Sequence, residues 1–182
     1  MLSGEKLKKH RQSAGLSVRA LAEGIERPGL GARQAHAAVG NWERGLLKPN
    51  PKSDDIDGLA SLLGVERNQL LVWSACHKYA PMAPRKVRLV ADLIRGRYAQ
   101  EAIDILQFAN KRAAVLVKKV LQSAIANADE QEADVSRLFV SEAVVDEGGV
   151  RVGTRRWRPK DRGRAVPWTR LASHIRISLD MD

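Results

Sequence analysis

The residues with the clearest chemical potential are eight basic side chains spread over residues 151–170, where Asp161 is the single acid. They are Arg151, Arg155, Arg156, Arg158, Lys160, Arg162, Arg164 and Arg170. Arginine predominates among them, and its planar guanidinium can form paired hydrogen bonds to a phosphate or stack on a base. Trp157 and Trp168 lie in the same segment, and an indole ring can stack on unpaired bases. The segment is therefore predicted to bind a polyanion, and RNA is the best match.

Two runs of residues beside this segment have the pattern of β-strands. Residues 173–179 alternate apolar and polar side chains, and residues 138–145 supply an antiparallel partner. Each arm of the hairpin between them would span roughly 45 Å at the rise of a strand, with its turn near Lys160. A free two-stranded ribbon of that length is marginal in water. We interpret residues 146–172 as a long basic hairpin that becomes ordered when RNA surrounds it, and a disordered basic loop is the alternative.

The composition of the whole chain agrees with a polyanionic partner and offers little for catalysis. The 182 residues carry a formal net charge of +10, which favours binding to nucleic acid. Cys76 is the single cysteine, the four histidines lack metal-ligand spacing, and no phosphate-cradling glycine loop is present. We expect no catalytic residues, no metal and no cofactor. The lack of a long apolar run or a signal-peptide pattern predicts a soluble cytoplasmic protein.

Residues 1–75 are predicted to form an all-α domain of five short helices. The helices are expected over residues 2–14, 17–25, 33–44, 54–63 and 65–73, with a loop at 26–31. Ser17 is a suitable N-cap for the second helix, and Asp54 or Asp55 for the fourth. Gly15 and Gly64 are suitable helix stops.

This set of helices resembles the helix-turn-helix domains of the Cro and lambda-repressor type. The residues that carry the resemblance are Gly15-Leu16-Ser17, Leu21-Ala22, Trp42-Glu43-Arg44-Gly45, Pro49, Leu63-Gly64-Val65 and Leu70-Leu71. In that family an arginine of the first helix pairs with the glutamate of the Trp-Glu-Arg-Gly motif. The resemblance therefore implies an ion pair between Arg11 and Glu43, which we interpret as structural.

The third helix of this domain is a poor match to a DNA-reading helix. Its base-reading start falls at Ala35-His36-Ala37, and an alanine cannot form a hydrogen bond to a base edge. The candidate nucleic-acid contacts that remain are Arg33, Gln34, His36 and Asn41. We therefore expect this domain to bind duplex DNA without the selectivity of an operator-binding protein.

Residues 76–182 are predicted to form a second domain, in which residues 76–80 are a short junction and three helices follow. Pro84 starts the first helix, the second covers residues 99–108, and Asn110 caps a long third. The apolar faces of the first and third are expected to be Val87, Val90, Ala91 and Ile94, and Ala113, Val117, Val120, Leu121, Ala124 and Ala128. The basic side chains predicted to contact RNA are Arg85, Lys86, Arg88, Lys111, Lys118 and Lys119.

The order of elements and several short runs of sequence resemble the family of large-subunit ribosomal protein twenty-two. The runs are MAPRKVRLVADLIRG at 82–96, AIANA at 124–128, VDEG at 145–148, GRA at 163–165 and SHI at 173–175, which includes His174. The resemblance implies an α+β fold: an α/β body of three helices on a three-stranded antiparallel sheet, with a long protruding β-hairpin. It also implies a non-enzymatic protein of the cytoplasmic ribosome that binds large-subunit rRNA, with His174 as a further contact.

The implied partners are the rRNA, other large-subunit ribosomal proteins and the nascent polypeptide, because the family's hairpin lines the exit tunnel. No membrane partner and no homo-oligomer is expected. A second class of function stays open, in which the chain is a DNA-binding transcriptional regulator that carries a ribosomal-protein-like module. A regulator of that kind should form a dimer and recognise a palindrome.

Overall fold

The structure is a computed structural model that describes residues 1–25 and 31–181. The chain divides into two compact units, Met1–Val72 and Trp73–Asp182. The loop expected at residues 26–31 lies outside the described residues except for its last position. Along the described chain, no helix is long and apolar enough to span a membrane.

The described residues of the first unit form four α-helices: α1 (Gly4–Ser13), α2 (Val18–Glu23), α3 (Ala32–Glu43) and α4 (Ser53–Leu63). Their apolar faces bury Leu7, Leu21, Val39, Trp42 and Leu59 in one core. The hydroxyl of Ser17 accepts a hydrogen bond from the N–H of Ala20 at 3.1 Å, so the predicted N-cap is confirmed. Gly64 ends α4 in the left-handed conformation at φ 65°, as expected of a glycine at that position.

Two predictions for the first unit are wrong in detail. The N-cap of α4 is Lys52, and Asp55 instead accepts a hydrogen bond from the Lys52 N–H at 2.7 Å from inside the first turn. The fifth helix expected over residues 65–73 is only the 3-10 turn η1 (Arg67–Leu70). It is short because the chain continues into a strand at Trp73.

The second unit has three α-helices and a three-stranded antiparallel sheet. Its elements in chain order are β1 (Trp73–Ala80), α5 (Pro84–Ile94), α6 (Ala99–Phe108), α7 (Arg112–Asp129), β2 (Leu138–Val150), β3 (Arg156–Pro159), β4 (Ala165–Trp168) and β5 (Leu171–Met181). The sheet has the order β1-β5-β2, so β5 is central. The fold is therefore of the mixed α+β class, as predicted.

Helix faces and the central strand follow the predicted apolar pattern. The residues predicted to face the core on α5 and α7 are all buried, and so are Ile175, Ile177 and Leu179 of β5. Residues of β2 pair with β5 in antiparallel register, with Val140 opposite Leu179 and Val145 opposite Ile175. The predicted pairing of residues 138–145 with 173–179 is confirmed.

The junction expected at residues 76–80 is instead part of strand β1. This strand pairs with β5, placing Trp73 opposite Leu179 and His77 opposite Ile175. Between its buried ends, Trp73 and Ala80, the strand shows no apolar alternation. The local sequence therefore lacks the usual strand signal, and pairing with β5 determines the conformation. The predicted cap of α7 is also wrong by one residue, because its N-cap is Lys111 rather than Asn110.

Strands β3 and β4 form a separate two-stranded sheet beyond the main one. They pair antiparallel, with Arg156 opposite Trp168 and Arg158 opposite Val166. Arg162, at φ 58°, and Gly163, at φ 69°, turn the chain between them.

Candidate nucleic-acid interface

The eight basic side chains of residues 151–170 are all exposed. Backbone hydrogen bonds join the two arms of the segment at its base, from the Arg151 N–H to the Arg170 carbonyl at 2.8 Å, and at its turn, from the Lys160 N–H to the Arg164 carbonyl at 2.7 Å. Among the described residues, none forms an ion pair with any of the eight. The segment therefore presents concentrated positive charge that the described protein does not neutralise.

Its two tryptophans have different surroundings. The guanidinium carbon of Arg158 lies 4.9 Å from the centre of the Trp168 ring, and that of Arg170 lies 5.2 Å from it. Both distances are within the range of cation–π attraction. Trp168 is half-buried and orients these two arginines, whereas Trp157 is 65% exposed. Of the two, Trp157 has the ring more accessible for stacking on a base.

The strand junction at Gly148-Gly149 sets the path of the chain into this segment. The register between β2 and β5 shifts between Glu147 and Val150, which is the signature of a β-bulge. Gly149 has φ 76° there, a conformation that favours glycine. A Cβ on Gly148 would lie 3.2 Å from the backbone of Ala172. Gly149 is thus favoured by its backbone conformation, and a side chain on Gly148 would make a tight contact with β5.

The basic residues of the helices divide into those with and those without a side-chain hydrogen bond to a described residue. Arg85, Lys86, Lys111 and Lys119 are exposed. Arg88 donates from Nε and Nη2 to the carbonyl of Val145 at 3.1 and 3.0 Å, so its guanidinium connects α5 to β2.

Lys118 and Arg95 are also held by hydrogen bonds within this unit. The ammonium of Lys118 donates to Oε1 of Gln107 at 3.3 Å. Arg95, which was not a predicted contact, donates to the carbonyl of Ala143 at 2.9 Å. Arg95 directly follows the last residue of α5 and lies seven residues after Arg88, which is about two helical turns. This spacing is the sequence signal that indicates their common partner strand.

A cleft brings the beginnings of α5 and α7 together with the chain that enters β5. Its lining includes Lys86 and Lys111 beside Trp168 and Arg170. Arg112 lines it as well, although it is not among the predicted contacts. The sequence signal for Arg112 was its position directly after Lys111, which was a predicted contact. Residues that are far apart in sequence therefore form one basic surface.

His174 has a structural contact inside the sheet region. Its Nδ1 accepts a hydrogen bond from the backbone N–H of Tyr79 at 3.1 Å, and the two rings meet edge to face with centroids 4.6 Å apart. Tyr79 has a left-handed backbone at φ 57°. Because Nδ1 is used, a hydrogen bond from His174 to RNA would have to come from Nε2.

Two of the four candidate contacts of the first unit, Gln34 and Asn41, form hydrogen bonds within the local structure. Oε1 of Gln34 accepts from the N–H of Gly31 at 3.4 Å. Asn41 donates to the carbonyl of Lys48 at 3.0 Å and accepts from Arg44 at 3.0 Å.

The remaining two candidates, Arg33 and His36, line a cavity of about 310 Å³ together with Arg19. At the expected base-reading start, Ala35 is only 3% exposed. Arg33, Gln34 and His36 stay exposed on α3, whereas the buried alanine between Gln34 and His36 presents almost no surface to a base.

The predicted ion pair between Arg11 and Glu43 is present. It is bidentate, with Nε against Oε1 and Nη2 donating to Oε2 at 3.2 Å. The hydrogen bond to Glu43 raises the pKa of the already basic Arg11 guanidinium. Arg11 also donates to the carbonyl of Leu16 at 3.1 Å, so it fixes the turn between α1 and α2 and is structural, as predicted.

Exposed arginines and lysines on an α+β body are typical of the class of proteins that bind nucleic acid. The sequence model of the family described as Ribosomal protein L22p/L17e matches residues 75–180. The Large ribosomal subunit protein uL22 of Sorangium cellulosum (strain So ce56) is 46% identical over 110 residues, which cover 60% of this chain and 97% of that protein. The chain therefore belongs to the ribosomal protein L22p/L17e family.

Membership establishes the general role of the protein. It is a structural constituent of the large ribosomal subunit rather than an enzyme, and it is located on the ribosome of the cytoplasm. Its partners are rRNA and other ribosomal proteins. Residues 1–74 lie outside the region that the family matches.

Proposed function

We propose that residues 146–172 form a long hairpin that penetrates the rRNA and lines the polypeptide exit tunnel. The observation that carries this proposal is the set of eight exposed basic side chains without protein partners among the described residues. A ribbon with this charge is stabilised by surrounding phosphates, because each contact releases condensed counterions. Phosphate contacts of this kind fix position and orientation without reading sequence.

The turn around Arg162 and Gly163 would then face the nascent polypeptide. The exposed ring of Trp157 and the prolines at 159 and 167 lie near the same end of the ribbon. Electron microscopy of the large subunit tests this directly: density for residues 157–167 is expected in the tunnel wall near its narrow region. Density for these residues on the outer surface of the subunit would contradict the proposal.

The helices supply the second part of the proposed rRNA surface. Arg85, Lys86, Lys111 and Lys119 contact phosphates from exposed positions, and Arg88 and Lys118 contribute from positions already held by Val145 and Gln107. His174 contributes through Nε2. The test is a comparison of rRNA protection from hydroxyl radicals in subunits with and without the protein.

For residues 1–72 we propose a helix-turn-helix of the Cro type that accompanies the ribosomal domain and does not read a DNA sequence. The order of α2 and α3 and the Arg11–Glu43 pair support this fold. The engaged side chains of Gln34 and Asn41 argue against base recognition. A selection from random duplex DNA is expected to enrich no site. Enrichment of one palindrome would instead support the DNA-binding regulator.

The location of the intact protein distinguishes the ribosomal function from that of a DNA-binding regulator. Quantitative mass spectrometry of salt-washed large subunits should find peptides from residues 1–72 and 73–182 in equal amounts, at one copy per subunit. A protein found only in ribosome-free fractions would contradict the ribosomal assignment of the full chain.

A further inference from the structure

The second unit contains an open cleft of about 770 Å³ between the start of α5, the start of α7 and the chain that enters β5. Volumes of about 300–1,000 Å³ are typical of sites that enclose a small organic ligand. Apolar side chains provide much of its surface, among them Met82, Ala83, Leu89 and Leu171. The cleft therefore has the volume of a site for a small organic ligand, and its apolar side chains form a floor on which such a ligand could lie.

Four cations surround this apolar floor. Lys86 lies on α5, Lys111 and Arg112 lie at the start of α7, and Arg170 precedes β5. No acidic side chain lines the cleft among the described residues, and none of these four cations forms an ion pair with a described residue. The charge is therefore complementary to an anion that carries an apolar or aromatic part.

We propose that this cleft holds a single nucleotide of rRNA whose base is turned out of its helix. The base lies against the apolar floor and beside the ring of Trp168, while the phosphates on either side are held by the four cations. Bases that are splayed out of a helix are the usual target of RNA recognition, since they can be enclosed and stacked. The inference rests on the proposed rRNA binding and adds to it one enclosed nucleotide.

The cation pattern favours a nucleotide over the other occupant that the cleft could accept. An aliphatic side chain of a neighbouring ribosomal protein would use the apolar floor but leave the cations without partners. A nucleotide uses both, because its planar base is apolar on its faces and its phosphates are anionic. The guanidinium carbon of Arg170 lies 5.2 Å from the centre of the Trp168 ring. Trp168 therefore orients one of the four phosphate-binding side chains before the nucleotide binds.

The first experiment places a photo-reactive phenylalanine analogue at position 89 of the full chain. Leu89 lines the cleft and is 58% exposed, and Leu93, one turn along α5, is 45% exposed but does not line it. In purified large subunits, the analogue at position 89 should cross-link to one nucleotide of the rRNA. The matched analogue at position 93 should not cross-link to that nucleotide.

The second experiment fills the cleft without changing its charge. Ala83 precedes α5 with an extended backbone, so Ala83→Trp can place an indole over the apolar floor. Combined with the analogue at position 89, it should abolish the cross-link and make the same base reactive towards a base-modifying reagent. Leu93→Trp is the control and should leave the cross-link unchanged.

The outcomes distinguish this inference from the proposed function. Cross-linking of position 89 only to a neighbouring protein, or to no component of an assembled subunit, would overturn the enclosed nucleotide and leave the ribosomal role intact. A chain that is absent from large subunits would overturn both. A cross-link that survives Ala83→Trp would also contradict the inference, because the base would then lie outside the cleft.

Discussion

Arginine has two distinct functions in the second unit, which the partners of each side chain reveal. Arg88 and Arg95 donate to backbone carbonyls of β2, at Val145 and Ala143. The arginines of residues 151–170 have no such acceptors in the described protein. The first kind stabilises the fold, and the second kind leaves its donors available to RNA.

Replacement of Arg88 by glutamine should therefore destabilise the isolated protein. The change removes two hydrogen bonds from a charged donor to the Val145 carbonyl, and we expect a loss of about 1–3 kcal/mol in the free energy of unfolding. Arg85→Gln is the matched control on the same helix, and an exposed substitution of that kind changes stability by about 0.5 kcal/mol or less. Urea denaturation measures both. Equal stability of the two variants would show that the Val145 contact contributes nothing.

Asp134 provides a test by pH in the short turn that precedes β2. The Ser136 hydroxyl and then the Ser136 N–H, at 2.6 and 3.0 Å, lower the pKa of the Asp134 carboxyl from its usual value. A lowered folded-state pKa stabilises the fold above the unfolded pKa, and that contribution is lost as the pH falls through the folded pKa. In Ser136→Ala the pKa of Asp134 should rise, as followed by NMR titration. An unchanged pKa would contradict the assigned cause.

At the scale of elements, strand β1 crosses the boundary between residues 75 and 76 that was predicted to separate the two domains. Trp73 begins it, is 1% exposed and donates from its indole N–H to Oε1 of Gln131 at 2.9 Å. A division of the chain after residue 75 would remove this anchor. The family match likewise begins at residue 75, inside the strand.

We expect a fragment of residues 76–182 to be less stable than one of residues 73–182. Loss of a buried tryptophan and of three paired strand residues should lower the free energy of unfolding by about 3–5 kcal/mol. Thermal denaturation of the two fragments measures the difference. Equal melting temperatures would mean that residues 73–75 do not stabilise the second unit.

The β3–β4 ribbon gives an electrostatic prediction. Changing Arg155, Arg156 and Arg158 together to glutamine should weaken binding of the full chain to its rRNA and reduce the salt dependence. Removal of three phosphate contacts reduces the magnitude of the slope of log K against log salt by about 2–3. Filter binding at several salt concentrations measures the slope.

The control for this prediction changes three exposed basic residues of the first unit, Lys8, Lys9 and Arg19, to glutamine. It keeps the same total charge as the test variant. A matching fall in slope for both variants would show that net charge, rather than the ribbon, determines affinity.

At the scale of the whole molecule, charge is concentrated where RNA binding is proposed. Residues 1–75 carry 11 lysines and arginines against 8 acids, whereas residues 151–170 carry eight basic residues against one acid. Nucleic-acid affinity arises largely from phosphate neutralisation, so the first unit alone should bind weakly. We expect it to depend on the ribosomal unit, to which it is covalently joined, for a high local concentration near RNA.

The sequence by itself determined the elements whose signals are local. The apolar spacing of α5 and α7 and the alternation in residues 173–179 predicted their buried faces, because helix and strand periods place those side chains on one side. Local signals also predicted the Ser17 N-cap of α2 and the end of α4 at Gly64. The density of arginine in residues 151–170 predicted a polyanion-binding segment without any knowledge of the fold.

Only the tertiary structure decided which residues meet across long separations. Strand β1 forms because its backbone pairs with β5 about a hundred residues later, and hydrogen bonds between distant backbones leave no periodic trace in a strand with exposed side chains. The role of Arg88 depends on where the Val145 carbonyl lies. The cleft unites the start of α5, the start of α7 and the approach to β5. Its apolar floor and four cations exist only because packing brings three segments, each unremarkable alone, to one place.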